Sequence, residues 1–435
     1  MMKRHLSTLS SLLLLTLLTL ATPLKAQTLS EAVSKAVQTN PELLAERQKQ
    51  AAVEQQIGQA RAGYLPSVDI NAGYGREYSD NTTTRAAKPP NGTLTLNRRE
   101  ATVTAKQMLF DGFATSHAVD KAESTAASAR HNQQKVLDTV IQSTSDYYLE
   151  AYKQEQLLEL VKDNVVLHQR ILEKIKQKFE SGAGTEADVQ QTETRWALTS
   201  ALQVATDTAY KNARIRFIRT IGEAPKDLTK PSINTALLPK SSEAAVEVAL
   251  KQHPAVLAAQ ADLVAAKADL AATQASSFIP RFDLELSALK NADVGGSIGD
   301  GTGMAAMLRM NYNLLRGGGD LAKNQENHHK VNQAQETLDQ RQREVIEGVR
   351  TAWELMEMSR NRITYLKQHA EISRKVADAY HQQFKMGKRT LLDVLNTETE
   401  LFTARSSLIT EDLNYLMGFY RLLGSMGQIT QAFNK

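Results

Sequence analysis

Side chains equipped for chemistry are scarce and scattered in this chain of 435 residues. The nine histidines include the pair His328-His329, but neither the H-E-x-x-H spacing of a helical zinc site nor a carboxylate cluster accompanies them. They read as solvated helix residues. Gly317-Gly318-Gly319 lacks the Gly-Lys-Ser/Thr that would let backbone amides cradle a phosphate, and the glycines around Gly299 to Gly303 fall in a connection between strand candidates. With no cysteine, a thiol nucleophile, disulfides, thiolate zinc, iron–sulfur clusters and a lipidated N-terminal cysteine are all excluded. Fifty-two basic against 48 acidic residues leave a net charge of +4, too balanced for an electrostatic nucleic-acid binder of this size. No catalytic residue, metal site or cofactor is expected.

What does recur is a turn. Phe179, Gly182, Thr185, Asp188 and Val189 are matched at a constant shift of 205 by Phe384, Gly387, Thr390, Asp393 and Val394. Gly182 and Gly387 supply the positive backbone dihedral with which a helix ends, and Thr185 and Thr390 are N-caps for the helices that return. The same shift pairs Leu109 with Leu314, Glu193 with Glu398, Tyr210 with Tyr415 and Gly222 with Gly427. Further upstream Asn40-Pro41 matches His253-Pro254, and Leu65-Pro66 matches Ile279-Pro280. A register held over so many residues implies two structurally equivalent halves.

The elements that must carry these turns are very long. Between Gly112 and Gly182 there is neither glycine nor proline, and between Gly319 and Gly387 only Gly348 interrupts. Nothing there breaks a helix, and about 69 helical residues at 1.5 Å each would extend about 100 Å. Apolar residues recur every seven positions at Ala151, Leu158, Val165, Leu172 and Phe179, and again at Met356, Ile363, Ala370, Ala377 and Phe384. That period is a coiled-coil seam. Val189, Trp196, Tyr210 and Phe217, and Val394, Leu401, Leu408, Tyr415 and Leu422, continue it on the returning helices, which places Trp196 in packing.

Between the helices each half holds two alternating runs. Val68, Ile70, Ala72 and Tyr74 interleave with Asp69, Asn71, Gly73 and Gly75; Ala101, Val103 and Ala105 interleave with Thr102, Thr104 and Lys106. In the second half Phe282, Leu284, Leu286 and Ala288 alternate with Arg281, Asp283, Glu285 and Ser287, and Leu308, Met310 and Tyr312 with Arg309, Asn311 and Asn313. One apolar and one polar face suit a membrane barrel with a wet lumen. Four strands cannot close one, since the smallest bacterial barrels need about eight, and open edges are not tolerated in lipid. The strands must be pooled among subunits. The connections Ser79 to Asn91 and Gly295 to Gly303 are polar, as outward loops would be.

At the N-terminus Lys3, Arg4 and His5 precede the leucine-rich run Leu9 to Leu20 and the small residue Ala26, which is a secretory signal peptide, 1–26. The remaining organisation is a first repeat over 27–222 with strands in about 66–109 and a tip at 182–185, a linker over 223–241, a second repeat over 242–427 with strands in about 280–314 and a tip at 387–390, and a tail over 428–435.

A signal peptide, the duplicated tip pattern F-x-x-G-x-x-T-x-x-D-V, the Leu65-Pro66 and Ile279-Pro280 strand starts and the Phe110-Asp111-Gly112 and Leu315-Arg316-Gly317 strand exits together resemble the TolC family of outer-membrane factors. The resemblance covers nearly all of the mature chain. It implies a mainly α fold with membrane β structure: antiparallel coiled-coil hairpins forming an α-barrel tunnel, and four strands per protomer in a twelve-stranded barrel shared by a homotrimer. It also implies a passive duct in a Gram-negative outer membrane, in contact with its lipid and extending into the periplasm. The implied partners are a periplasmic adaptor and an inner-membrane ABC transporter, with a proton-driven pump as the alternative. The wording of Gly182 to Thr185 and Leu391 to Asn396 is closest to the branch that serves type I secretion of large adhesins; small-molecule efflux is the alternative, and a periplasmic coiled-coil scaffold without a pore is a second one. By the same resemblance Phe179, Gly182, Thr185, Phe384, Gly387 and Thr390 form the adaptor-docking tips. Asp188 and Arg389 become an entrance latch, and Asp393 and Asn396 an entrance ring. Phe384 stands where some members carry a latch tyrosine and Asn396 where some carry a second ring aspartate, so a looser and less cation-selective entrance is expected.

Overall fold

The computed structural model describes residues 26–87 and 92–433. The expected signal peptide lies outside the described residues except for Ala26, as does the Pro89-Pro90 part of the first outward connection. The chain opens with α1 (Leu29–Thr39) and α2 (Pro41–Arg61). Asn40 ends one and starts the other. Its side-chain oxygen accepts from the amides of Glu42 and Leu43, and Pro41 takes the first helical position, where a missing N–H costs nothing. Then come β1 (Ser67–Asp80), the short α3 (Thr82–Ala87) and β2 (Thr93–Phe110), followed by the hairpin of α4 (Ala114–Glu180) and α5 (Glu186–Ile221).

The second half repeats this order with α6 (Ser242–Gln252), α7 (Pro254–Phe278), β3 (Arg281–Ala292), β4 (Asp300–Asn311), α8 (Gly319–Lys385) and α9 (Leu391–Ser425). Helices α4 and α8 are each 67 residues long, about 100 Å. Their partners α5 and α9 have 36 and 35 residues and so cover about half that length. Along the rest, α4 packs on α2 and α7, and α8 on α7.

The main core sits at the waist of the hairpins, where α1 and α6 lie against the long helices. Tyr148, Leu149, Phe217, Ile221, Phe419, Leu422 and Leu423 are fully buried there. The Tyr148 hydroxyl accepts from the amide of Thr229 at 3.0 Å and donates to the carbonyl of Gln27 at 2.7 Å, which pins both the N-terminal segment and the connection between halves to α4. Seam residues Ala151, Leu158, Leu172, Met356, Ile363, Ala377, Val394, Leu401 and Leu422 are buried as the heptads require. Trp196 departs from this expectation. It is 37% exposed on α5, so the chain's own elements cover it only in part.

The four strands form one antiparallel sheet in the order β1-β2-β3-β4. Cα partners such as Ile70↔Val103, Val103↔Ala288 and Ala288↔Met304 put the apolar members of all four strands on one face. The opposite face carries charges that neutralise one another across each strand pair. Arg98 bridges to Glu77 at 2.8 Å between β2 and β1, Lys106 to Asp283 at 3.3 Å between β2 and β3, and Arg309 to Glu285 at 2.6 Å between β4 and β3. Asp283 is fully buried beneath Lys106 and Arg281. Among the described residues β1 and β4 each have one edge without a strand partner.

Two connections are more ordered than their polarity suggests. Within the first, Asn81 accepts from the amide of Thr84 and starts α3, while its side-chain amide donates to the carbonyl of Gly295 in the second connection. In the second, β4 begins at Asp300, so Gly301 and Gly303 are strand residues paired with Asn291 and Leu289 rather than loop. Among the described residues no helix is long and apolar enough to cross a membrane.

Candidate functional site: the helical tips

Both long helices end in the same way. The amide of Ala183 donates to the carbonyl of Lys178 and that of Gly182 to Phe179, each at 2.9 Å; in the second hairpin Lys388 donates to Gln383 at 2.9 Å and Gly387 to Phe384 at 3.0 Å. These bonds satisfy carbonyls that the helix leaves open, and they need φ values of 77° at Gly182 and 72° at Gly387. A side chain on either glycine would meet no other atom, so glycine is required here by the backbone alone.

Thr185 and Thr390 then begin α5 and α9 as N-caps, and each is half of a reciprocal capping box. The Thr185 oxygen accepts from the amide of Asp188 at 3.2 Å, while the Asp188 carboxylate accepts from the Thr185 amide at 3.3 Å and hydroxyl at 2.8 Å. Asp393 does the same for Thr390 at 3.2, 3.1 and 2.9 Å. These bonds, and then the charge of Arg389, hold the Asp393 carboxyl below its usual range, so it is an anion at neutral pH. The capping role of the two aspartates was missed in the sequence, although T-x-x-D at a helix start is a recognisable sign of it.

The tips are also braced across the hairpins. Ile175 on α4 packs with Leu391 and Leu395 on α9, and Ile171, Val189 and Phe384 join them. Lys178 lies 4.6 Å over the Phe384 ring. Phe384 is thereby half-buried, whereas its repeat partner Phe179 remains 45% exposed. Arg195 donates to Asn396 at 3.2 Å, Lys176 pairs with Glu193 at 2.7 Å and His381 meets Glu398 at 2.5 Å.

Asp188 and Arg389 are not brought together within the chain. Arg389 stacks 4.2 Å over Tyr380, and its Nε donates to Gln383 at 2.9 Å. Tyr380 and Gln383, near the end of α8, therefore hold the Arg389 side chain in place, and no spacing in the sequence singled them out. His328 and His329 are exposed on α8, far along the chain from this cluster. Among the described residues no group of three or more histidines and carboxylates lies close enough together to hold a metal ion.

A pair of long hairpins joined by a half-open, amphipathic sheet is a construction shared with known proteins. The family model described as outer membrane efflux protein matches residues 32–223 and 245–428, one match in each half. The chain belongs to the outer membrane efflux protein family. Relatives include the outer membrane efflux protein BepC of Brucella suis, 25% identical over 93% of this chain and 86% of that one. The alkaline protease secretion protein AprF of Pseudomonas aeruginosa is 24% identical over 91% of this chain and 84% of that one. In fold, the chain matches the crystal structure of a membrane protein from Pseudomonas aeruginosa with a TM-score of 0.81 at 17% identity, covering 92% of this chain and 93% of that one. This family membership makes it an outer-membrane protein of a Gram-negative cell, with its helices extending into the periplasm.

Proposed function

We propose that three copies of this chain form the passive exit duct of a tripartite export system, pooling their strands in one closed outer-membrane barrel and their hairpins in a periplasmic tunnel. The observation that carries this reading is the sheet, whose apolar face and ion-paired face are complete but whose β1 and β4 edges are open. Backbone groups on those edges must be paired in lipid, and a neighbouring copy offers the matching edge. Exposed apolar residues on the outer faces of α5 and α8, among them Leu198, Val204, Ile215, Leu355, Tyr365 and Ile372, supply a second contact of the same kind for the tunnel wall.

The cargo we assign is a secreted protein, exported by a type I system through an adaptor and an inner-membrane ABC transporter. The protease secretion name of AprF, and of the Dickeya chrysanthemi relative PrtF, supports this. Small-molecule efflux is the second reading, favoured by the efflux name of BepC. Deleting the gene separates them: secretion loses a large protein from the medium with drug susceptibility unchanged, and efflux does the reverse. The adaptor docks at the tips through Phe179, Gly182, Thr185, Phe384, Gly387 and Thr390. Asp393 and Asn396 ring the entrance, and Arg389 latches it by reaching Asp188 of the adjacent copy.

Conductance of the purified protein in a planar bilayer tests the duct itself, and a chain without channel activity would be a scaffold instead. Orientation is tested on intact cells. An epitope inserted at Gly299 or Thr83 should be labelled and one at Gly184 should not; labelling of all three only after permeabilisation overturns the topology.

A further inference from the structure

The ion-paired face of the sheet neutralises its own charges, but the apolar face ends in cations that are not neutralised in the same way. Reading upward on that face, β1 presents Val68, Ile70, Ala72 and Tyr74, β2 presents Ala105, Val103 and Ala101, and β3 presents Leu284, Leu286 and Ala288. Each run is closed at its upper end by a base: Arg76, Arg99 and Lys290. The pairing makes them successive diagonal neighbours. Arg76 stands opposite Asn97, two residues from Arg99, and Arg99 stands opposite Ala292, two residues from Lys290. Diagonal positions are about 7–8 Å apart, within reach of long side chains.

These bases form a diagonal row across the three strands. The upper rim of the sheet steps down from β1 to β3: β1 continues to Asp80, whereas β3 stops at Ala292, opposite Arg99, which is itself opposite Tyr74. The row of bases drops two residues per strand and lies below that rim, Arg76 four residues under Asp80, Arg99 six under Thr93 and Lys290 two under Ala292. All three side chains are exposed. Among the described residues Arg76 and Lys290 form no hydrogen bond or ion pair, and Arg99 reaches only Asp293, at the long distance of 3.8 Å. The nearby carboxylates Asp293 and Asp300 lie at the strand ends, beyond the bases and away from the apolar band. Tyr74 and Tyr78, 79% and 67% exposed, flank Arg76 with the amphipathic rings typical of the boundary between hydrocarbon and headgroups.

We propose that Arg76, Arg99 and Lys290 form a cationic belt that binds the phosphates of an anionic lipid in the outward leaflet. Three exposed bases in one diagonal row, directly above an apolar wall, fit a molecule with acyl chains below and phosphate above. The belt rests on the duct reading, because it requires the apolar face to meet lipid and the loops to face outward.

The test uses the full-length trimer purified in detergent and equilibrated with mixed micelles of lipid A and phosphatidylcholine, scoring the lipid A that stays bound through size exclusion. Each of Arg76→Gln, Arg99→Gln and Lys290→Gln should weaken retention about fivefold, and the triple variant about a hundredfold. Phosphatidylcholine retention should not change, and Arg76→Lys with Arg99→Lys should restore lipid A binding, which a folding defect would not. Equal lipid A retention by wild type and triple variant overturns the belt. So does complete displacement of lipid A by inorganic pyrophosphate, because the apolar wall would then contribute nothing. Wild-type conductance measured in parallel separates the two readings: channels without base-dependent retention overturn the belt alone, and absence of channels overturns the duct beneath it.

Discussion

Asp393 caps α9 and is also proposed for the entrance ring, so a single variant would confuse the two roles. Asp188 makes the same capping box on α5 and so provides the comparison. Asp393→Ala and Asp188→Ala should both loosen a helix start, but only Asp393→Ala is expected to abolish block of the channel by a trivalent cation added on the periplasmic side. Unchanged block in Asp393→Ala removes the ring. Arg389→Ala should raise conductance by freeing the entrance, and Arg389→Lys should recover the closed state only in part, because lysine cannot reproduce the planar stack on Tyr380. A buried carboxylate elsewhere on α4 gives a pH prediction. Asp138 on α4 accepts from Gln134 through one oxygen while the other is buried without a partner, and burial pushes its pKa up from 3.8 to about 6. The folded state thus holds this proton more tightly than the unfolded chain. Its stability contribution is complete below pH 3.8 and lost as pH rises through about 6, by about 3 kcal/mol at neutral pH. Asp138→Asn should therefore raise the thermal midpoint at pH 7.5 and leave it nearly unchanged at pH 4; an equal effect at both would show that ionisation is not the cause.

At the scale of elements, the tips can be altered without touching the tunnel. Because nothing surrounds Gly182 or Gly387, a valine there costs only the strained backbone, about 1–3 kcal/mol, and the distant core at Tyr148 and Phe419 is unaffected. Gly182→Val and Gly387→Val are expected to assemble normally and lose export. Asparagine, which tolerates the left-handed region, should retain more of it. Export that survives both valine variants with unchanged adaptor crosslinking would move the docking surface elsewhere. These turns were legible because glycine, threonine and aspartate spell them locally. The Arg389 stack was not, since which turn of α8 presents Tyr380 to the loop depends on how the loop folds back.

For the molecule as a whole, the open sheet edges make the sharpest prediction. The chain has no cysteine, so introduced thiols can be read without background. A copy with Ile70→Cys on β1 together with one of Met304→Cys, Ala306→Cys or Leu308→Cys on β4 should form disulfide-linked dimers and trimers on oxidation, because β1 of one protomer would lie beside β4 of the next. Within one chain these strands are the two outer members of the sheet and stay apart. Monomers at every β4 position would refute edge pairing between copies.

From the sequence alone came the long helices, the duplicated tips and the four amphipathic strands, because each rests on local rules: absence of breakers, a seven-residue period, positive φ at glycine, alternation along a strand. The demand for more than one copy followed from strand number alone. Tertiary structure decided what local rules cannot reach. Register across β1, β2 and β3 aligned Arg76, Arg99 and Lys290, which lie on separate strands and in two different halves of the chain. Packing between the hairpins half-buried Phe384 while leaving Phe179 open, although both occupy the same place in the repeat. Trp196 lies on the seam by its period and is 37% exposed by the arrangement of neighbours. Periodicity specifies which face of a helix is apolar; only the placement of other helices, set by contacts between residues far apart in sequence, specifies what covers it.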